Sequence, residues 1–258
     1  MAPPSHPPGP LNRVLRVLLP LAFWLLIWQL AALGVGKPLL LPGPGAVLRT
    51  LAQLLPTGTF WLTALTSLGR IVLGFLGGVL AGSALAALTA ALPLADWIVS
   101  PAVRLIRAVP VASFILLVLL WVPTGRVSVL IAGLMVLPVL WGAVSQGIAS
   151  VDPLLLEAAR AYRFSRRRQV GLVYLPSLLP HFAGGCRTAL GLAWKAGVAA
   201  EVLCVPRVAI GTQVYYAKLY LETEFLFAWT AVVAVLSLGL EKGLDLLLAR
   251  LERRGAHG

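Results

Sequence analysis

Charged residues are scarce in this 258-residue chain: they make up 12% of it, whereas an ordinary soluble domain has about 25%. Acidic residues are scarcer still, nine against 21 lysines and arginines, and hydrophobic residues make up 59%. So few charges cannot cover the surface of a soluble protein, and the composition therefore predicts a membrane protein. The basic residues lie between hydrophobic runs rather than in one exposed patch, which argues against nucleic-acid binding.

Cysteine is nearly absent, and the common motifs of catalysis and nucleotide binding are missing. Cys186 and Cys204 fall inside hydrophobic runs, with no Cys-x-x-Cys pair or histidine cluster, so neither a disulfide framework nor a metal site is expected. No Gly-x4-Gly-Lys-Ser/Thr loop is present to bind ATP phosphates. Gly-x-Ser-x-Gly and His-Glu-x-x-His motifs are absent as well. We therefore expect no catalytic residues and no directly bound cofactor.

Six hydrophobic segments are candidate membrane spans, because about 20 apolar residues cross a hydrocarbon core about 30 Å thick. They cover about residues 14–35, 67–92, 109–122, 127–148, 178–205 and 225–248. The third is the shortest, and its apolar core follows Arg104, Arg107 and Pro110. Residues 98–106 either extend this span backwards or form an interfacial helix that leads into it. The fold class predicted is all-α integral membrane.

The two ends of the chain are predicted to lie outside one transmembrane domain of residues 13–254. Residues 1–12 are rich in proline and are expected to form a disordered cytoplasmic tail, and residues 255–258 a short C-terminal tail. Arg13 and Arg16 precede the first hydrophobic run, as in a signal peptide. That run is near 20 residues long, against 7–15 in signal peptides, which favours a retained helix.

Basic residues are unevenly divided between the two sides of the predicted membrane. With the N-terminus inside, 13 fall on the cytoplasmic side and five outside, and Arg70, Arg187 and Lys195 lie within or at the ends of spans. The 13 are Arg13, Arg16, Arg104, Arg107, Arg160, Arg163, Arg166, Arg167, Arg168, Lys242, Arg250, Arg253 and Arg254, and the five are Lys37, Arg49, Arg126, Arg207 and Lys218. Since cytoplasmic loops are enriched in Lys and Arg, both termini are predicted to be cytoplasmic.

The basic loop between the fourth and fifth spans has a recognisable spacing. It reads Glu157-Ala158-Ala159, three residues, Arg163, nine residues, Val173, one residue, Leu175-Pro176. This resembles the EAA loop of permease subunits of binding-protein-dependent ABC importers, Glu-Ala-Ala-x3-Gly-x9-Ile-x-Leu-Pro. Here an arginine stands at the glycine position and a valine at the isoleucine position.

Shorter segments in the same order extend the resemblance to the nitrate, sulfonate and taurine branch of these permeases. They are Leu41-Pro42-Gly43-Pro44, Ser67-Leu68-Gly69-Arg70-Ile71, Ala108-Val109-Pro110-Val111-Ala112 and Val198-Ala199-Ala200-Glu201. Together with the loop they cover about residues 39–254.

The resemblance implies an inner-membrane importer subunit with the type I, MetI-like permease fold. Its implied partners are a second copy of the chain, a cytoplasmic ATPase dimer that uses ATP and Mg, and an extracytoplasmic substrate-binding protein, besides membrane lipid. The implied substrates are small anions such as nitrate, sulfonates or taurine, or vitamin-precursor-like molecules. The loop, about residues 150–177, would dock the ATPase. The docking residues implied are Glu157, Ala158, Ala159, Arg160, Arg163, Leu175 and Pro176.

The residues of this loop support the same interpretation. Asp152 and Pro153 are suited to begin a short helix over 154–162, and the arginines can donate to carboxylates of a partner. Contact with anionic lipid headgroups is the alternative, but it predicts no particular spacing. The family glycine would supply a left-handed turn, so Arg163 either costs about 1 kcal/mol there or the turn differs.

Small residues recur every four positions on two spans, a pattern that lets helices approach closely. These residues are Gly74, Gly78 and Gly82 on the second span and Gly185, Ala189, Ala193 and Gly197 on the fifth.

The fifth span also carries three ionisable residues, Arg187, Lys195 and Glu201, which are candidates to line a pathway. An interhelical hydrogen bond is the alternative role for Glu201. An ion-coupled secondary transporter is the alternative function, although no internal repeat supports it.

Overall fold

The computed structural model describes residues 10–255, and every regular element in this part of the chain is helical. The helix α1 begins at Pro10, three residues before the predicted start of the transmembrane domain. The rest of the predicted N-terminal tail, residues 1–9, and residues 256–258 of the predicted C-terminal tail lie outside the described residues. The elements are α1 (Pro10–Val35), α2 (Pro44–Leu54), α3 (Gly58–Ala91), α4 (Pro93–Ala108), α5 (Val111–Leu119), α6 (Thr124–Ala149), α7 (Pro153–Ala161), α8 (Arg166–Gln169), a π-helical turn (Val170–Tyr174), α9 (Leu175–Cys204), α10 (Ile210–Leu219) and α11 (Thr223–Gly255).

Four helices of the described chain, α1, α3, α6 and α11, are long and apolar enough to cross a membrane. The pair α4 and α5 makes a fifth candidate, but its two helices are bent by 103°. The break lies at Val109 and Pro110, because a proline disfavours helical backbone in the residue before it. The predicted third span is thus a bent pair, with residues 98–106 in the first helix.

Helix α9 corresponds to the predicted fifth span, but it has no stretch of 18 residues as apolar as those of α1, α3, α6 and α11. Its 30 residues extend about 45 Å, which is enough to cross a bilayer. Three charged residues, Arg187, Lys195 and Glu201, interrupt its hydrophobic sequence. The predicted count of six spans is therefore reached only if both α9 and the bent pair cross.

Helices α3, α6 and α9 form the centre of the molecule. The side chains that are almost fully buried there include Ile71 of α3, Ile131 and Leu140 of α6, and Ala193 and Trp194 of α9. The last two helices, α10 and α11, also pack on α9. By contrast, α1 stands at the edge, where Trp28 donates to the Pro42 carbonyl at 3.0 Å and stacks on Phe227 at 5.7 Å.

The two series of small residues lie at the interfaces of these central helices. A methyl group added at Gly78 would lie 2.6 Å from the Gly133 carbonyl oxygen, and one at Gly82 would lie 2.6 Å from that of Leu137. Gly74 meets the Val129 carbonyl in the same way. On α9, a methyl at Gly185 would overlap Ala143 and one at Gly197 would overlap Ile71, while Ala189 and Ala193 are fully buried. The absence of a side chain lets the backbones of α3 and α6 come close at Gly74, Gly78 and Gly82, and it leaves room for the Ala143 and Ile71 side chains at Gly185 and Gly197.

Candidate functional site

The loop of residues 150–177 folds as a short helix followed by a tight turn. Helix α7 begins as the sequence predicts, with Pro153 in its first turn and the Asp152 carboxylate accepting a 2.8 Å hydrogen bond from the Leu154 amide. This cap satisfies one of the free amides at the start of the helix.

Arg163 adopts the left-handed conformation that a glycine would ordinarily supply. Its φ is 51°, and its amide donates to the Arg160 carbonyl at 3.0 Å. The next amide, of Phe164, donates to the Ala159 carbonyl at 2.9 Å. These two bonds form a Schellman motif, which ends α7. The turn therefore has the shape expected for glycine, and the arginine adopts it at a cost of about 1–2 kcal/mol.

The loop has a small hydrophobic core of its own. Val151, Ala159 and Val173 are buried together, and Leu156, Phe164 and Tyr174 pack against them. Ala159 therefore faces the inside of the loop and supports its packing. The exposed docking candidates are Glu157, Ala158, Arg160, Arg163, Leu175 and Pro176.

Glu201 lies in a buried polar cluster that joins α3, α9 and α10. The Ser67 hydroxyl donates to its carboxylate at 2.7 Å, and the Gly211 amide donates to the same oxygen at 3.3 Å. The Ser67 hydroxyl also accepts from the Ile210 amide at 2.8 Å. Arg70 of α3 lies 3.8 Å from the other carboxylate oxygen. With Glu201 only 1% exposed, this arrangement matches the interhelical hydrogen-bond alternative.

Two features of the backbone bring α10 onto Glu201. Val205, in the left-handed conformation with φ 47°, ends α9 and turns the chain back. At Gly211 a side chain would overlap the backbone of Glu201 and Val202, so glycine is needed for the close approach. Arg70 reinforces the turn by donating to the Val208 carbonyl at 2.7 Å. Sequence reasoning missed the role of Ser67, whose only signal was its position one turn from Arg70.

The other two pathway candidates lie away from this cluster. Arg187 donates to the Asp245 carboxylate of α11 at 2.7 Å, and both side chains are about half exposed. Lys195 is exposed and belongs neither to the Glu201 cluster nor to the Arg187–Asp245 ion pair. The structure thus does not bring Arg187, Lys195 and Glu201 together.

A polar cleft of about 630 Å³ opens between α4, α6 and α9. Sequence reasoning counted Arg107, at the end of α4, among the basic loop residues, but its side chain donates to the carbonyl of Pro138 within α6. The residues that line the cleft are Arg107, Val139, Gly142, Ala143, Gln146, His181, Gly184, Gly185 and Thr188. The signal that could have found this cleft is an arginine between residues 98–106 and the third hydrophobic segment.

Comparison with known proteins identifies the family to which this architecture belongs. Residues 74–256 match the family model described as binding-protein-dependent transport system inner membrane component. The chain belongs to this family. It is therefore a permease subunit of an ABC importer, a multi-pass inner-membrane protein that works with an ATPase and a substrate-binding protein, and it is not itself an enzyme.

Several curated relatives match most of the chain. The taurine transport system permease protein TauC of Escherichia coli is 33% identical over 231 residues, which cover 87% of this chain and 83% of the relative. The putative aliphatic sulfonates transport permease protein SsuC of Bacillus subtilis is 30% identical over 240 residues, 92% of this chain and 85% of the relative. The riboflavin transport system permease protein RibX of Chloroflexus aurantiacus is 30% identical over 227 residues, 86% and 84% of the two chains.

A solved structure shows the same fold. The crystal structure of an amino acid ABC transporter with histidines contains a chain that superposes with a TM-score of 0.63. The match covers 79% of this chain and 97% of that one at 19% identity. The predicted recognition, ABC permease fold and transport function are confirmed, and the ion-coupled alternative is not supported.

Proposed function

We propose that two copies of this chain form the translocation pathway for a small sulfonate-like anion, and that residues 150–177 couple the pathway to the ATPase. The substrate class is supported by two relatives named for taurine and aliphatic sulfonates, which are 33% and 30% identical to this chain. A riboflavin permease is a relative of comparable identity, at 30%, so a vitamin-like substrate is the second candidate.

The observation that carries the coupling proposal is the rigid construction of the loop. A capped helix, a Schellman turn and a separate hydrophobic core fix α7 relative to the start of α9. The outer surface of α7 therefore presents Glu157, Ala158 and Arg160 in a fixed arrangement. Binding of the ATPase does not require this segment to become ordered, which would cost conformational entropy. Ala158 keeps this surface narrow enough to enter a cleft, and the arginine can pair with partner carboxylates.

The pairing of two copies is supported by the position of the polar cleft. It opens on a side of the chain, between α4, α6 and α9, rather than running through the middle of the bundle. Polar groups inside a membrane are stable when they face another subunit or a water-filled cavity. A second copy that covers this side would enclose the pathway.

The orientation and energy source complete the proposal. Both termini and the loop of residues 150–177 lie in the cytoplasm, in agreement with the uneven division of basic residues, which is 13 to 5 from the sequence and 12 to 5 without Arg107. ATP and Mg are used by the partner ATPase, and this chain binds neither.

The direct test is uptake into liposomes that contain the permease and its ATPase, with the substrate-binding protein outside and ATP inside. Taurine and ethanesulfonate should accumulate only when ATP is present, and riboflavin should not accumulate. If riboflavin is taken up and the sulfonates are not, the substrate is vitamin-like, which is the second candidate class. Accumulation that does not depend on ATP but depends on a proton gradient would overturn the proposed mechanism.

The docking surface is tested by Glu157→Lys, with Glu222→Lys as a matched control. Both glutamates are exposed, and Glu222 lies just before α11, outside the loop. Reversing the charge on α7 should reduce recovery of the ATPase with the purified permease by at least about tenfold, the cost of one charged interaction. The control should leave recovery unchanged. Equal recovery of the ATPase with both variants would remove the docking role of Glu157.

A further inference from the structure

Arg107 is exposed in the cleft, and it carries a positive charge to about the middle of the length of α6. Its guanidinium donates to the carbonyl of Pro138, which lies 14 residues after the first residue of α6 and 11 before the last. At 1.5 Å per residue, this carbonyl is about 21 Å from one end of α6 and about 17 Å from the other. A charged side chain at such a depth is costly and usually has a function.

No carboxylate neutralises this charge within the part of the chain whose side chains the structure describes. The two ion pairs found there join Arg70 to Glu201 and Arg187 to Asp245. Pro138 accepts one hydrogen bond from Arg107, and a guanidinium has five N–H groups. Several strong donors are therefore available to another acceptor.

The surroundings of Arg107 leave space for such an acceptor. A methyl group added at Gly142 would lie 2.8 Å from the Arg107 Nη2 atom, so the absence of a side chain there lets the guanidinium reach α6. Gly184 has nothing within 4 Å of its added methyl, which keeps the α9 side of the cleft open. Gln146 and Thr188 add polar side chains to the lining.

We propose that this cleft, named here the Arg107 cleft, binds the anionic group of the substrate during its passage, with Arg107 as the principal donor. This inference rests on the proposed function, since it takes the substrate to be a small sulfonate-like anion. A sulfonate presents three acceptor oxygens to the planar guanidinium, which suits a charge-assisted contact. The cleft volume of about 630 Å³ accommodates a molecule of taurine size together with water. A lipid headgroup is the other source of an anion, but the depth of Arg107 places it away from both membrane surfaces.

The test follows the accessibility of a cysteine in the cleft rather than transport. Thr188→Cys is made after both native cysteines are replaced by alanine, and the permease is purified with its ATPase in nanodiscs of uncharged lipid. Ethanesulfonate or taurine should slow the reaction of the introduced cysteine with a maleimide. When Arg107→Gln is added, the concentration that gives half-maximal protection should rise at least about tenfold, and Arg107→Lys should restore part of the protection.

Gly142→Ala provides a second variant that keeps the arginine. The added methyl displaces the guanidinium from its position against α6, so protection by ethanesulfonate should weaken although the charge remains. Gly77→Ala on α3 is the matched control, because a methyl there meets nothing within 4 Å. Unchanged protection in Arg107→Gln would refute the assignment of the anion site.

Two further outcomes separate this inference from the proposed function. If sulfonates are transported but never protect the introduced cysteine, the function stands and the Arg107 cleft is not the site. If sulfonates are not transported at all, the proposed substrate class fails whatever the cysteine shows. Protection that appears only with anionic lipid and does not respond to added sulfonate would mean that the cleft holds lipid, which would overturn the inference.

Discussion

Gly78→Ala tests how closely α3 and α6 pack at the centre of the permease. The added methyl would lie 2.6 Å from the Gly133 carbonyl oxygen and 2.6 Å from the Val136 Cβ atom. Ordinary contact begins at 3.4 Å, so the two helices would have to separate locally by about 0.8 Å, the difference between these distances. Neither obstacle is the end of a flexible side chain, because one is backbone and the other is the first atom of a β-branched residue.

The size of the effect follows from two opposing terms. Overpacking of this kind costs about 1–3 kcal/mol, while replacing glycine by alanine within a helix gains up to about 1 kcal/mol. Gly77→Ala isolates the second term, because the neighbouring position is open. The difference in stability between the two variants should therefore be about 1–3 kcal/mol.

Thermal unfolding in detergent measures this difference through the native cysteines. Cys186 and Cys204 are both buried, so a thiol-reactive fluorescent dye reports their exposure as the protein unfolds. We expect Gly78→Ala to unfold several degrees below Gly77→Ala, since 1 kcal/mol corresponds to about 2–4 °C for a protein of this size. Coincident unfolding curves would show that the two helices do not touch at Gly78.

Three other predictions follow from the loop, the buried cluster and the topology. Arg163→Gly relieves the strain of the left-handed conformation, so hydrogen exchange of the Phe164 amide should slow about five- to thirtyfold. Exchange at the wild-type rate would show that Arg163 is not strained there. Ser67→Ala removes a donor from the Glu201 carboxylate and should lower stability by about 1–3 kcal/mol, more than Glu201→Gln, in thermal unfolding. A cysteine at Ser165 should not react with an impermeant thiol reagent applied outside, whereas one at Thr124 should react. The reverse result would mean that the loop of residues 150–177 faces the outside of the cell.

The topology experiment also shows where sequence reasoning needs the structure. Thr212 falls in a segment predicted to lie outside the membrane, which makes it an obvious place for a probe. In the structure it is buried, and its hydroxyl donates to the Pro206 carbonyl at 2.6 Å. Failure of a cysteine there to react would report burial rather than sidedness, so Thr124, which is exposed, is the better choice.

Local signals were enough to predict the backbone of the loop of residues 150–177. Asp152 and Pro153 mark the start of α7 by capping and by fixed φ, and both effects act within a few residues. The glycine position of the family pattern likewise predicted a left-handed turn where Arg163 now has φ 51°. Such features depend on neighbours along the chain, which a sequence displays directly.

Charged residues within the bundle could not be assigned in the same way, because their partners are distant in sequence. Arg187 bonds with a residue 58 positions later, and Glu201 with one 134 positions earlier. Arg107 finds its acceptor 31 residues along the chain, in a carbonyl that no side-chain pattern marks. Helix packing determines these pairings, and a single sequence shows only that each charge needs some compensation.

Helix α9 connects the loop to the buried cluster on the opposite side of the molecule. Val173, in the π-helical turn immediately before it, belongs to the core of the loop, and Glu201 lies one turn from its end. Between them, Gly185 packs directly against the Ala143 side chain of α6, and Gly197 packs against the Ile71 side chain of α3. Because close-packed helices cannot be compressed, a displacement of α7 must move α9 as a rod or shift it against both neighbours. The Arg107 cleft lies between α4, α6 and α9, so a shift of α9 against α6 changes its width. The same helix therefore links the proposed ATPase contact to the proposed anion site.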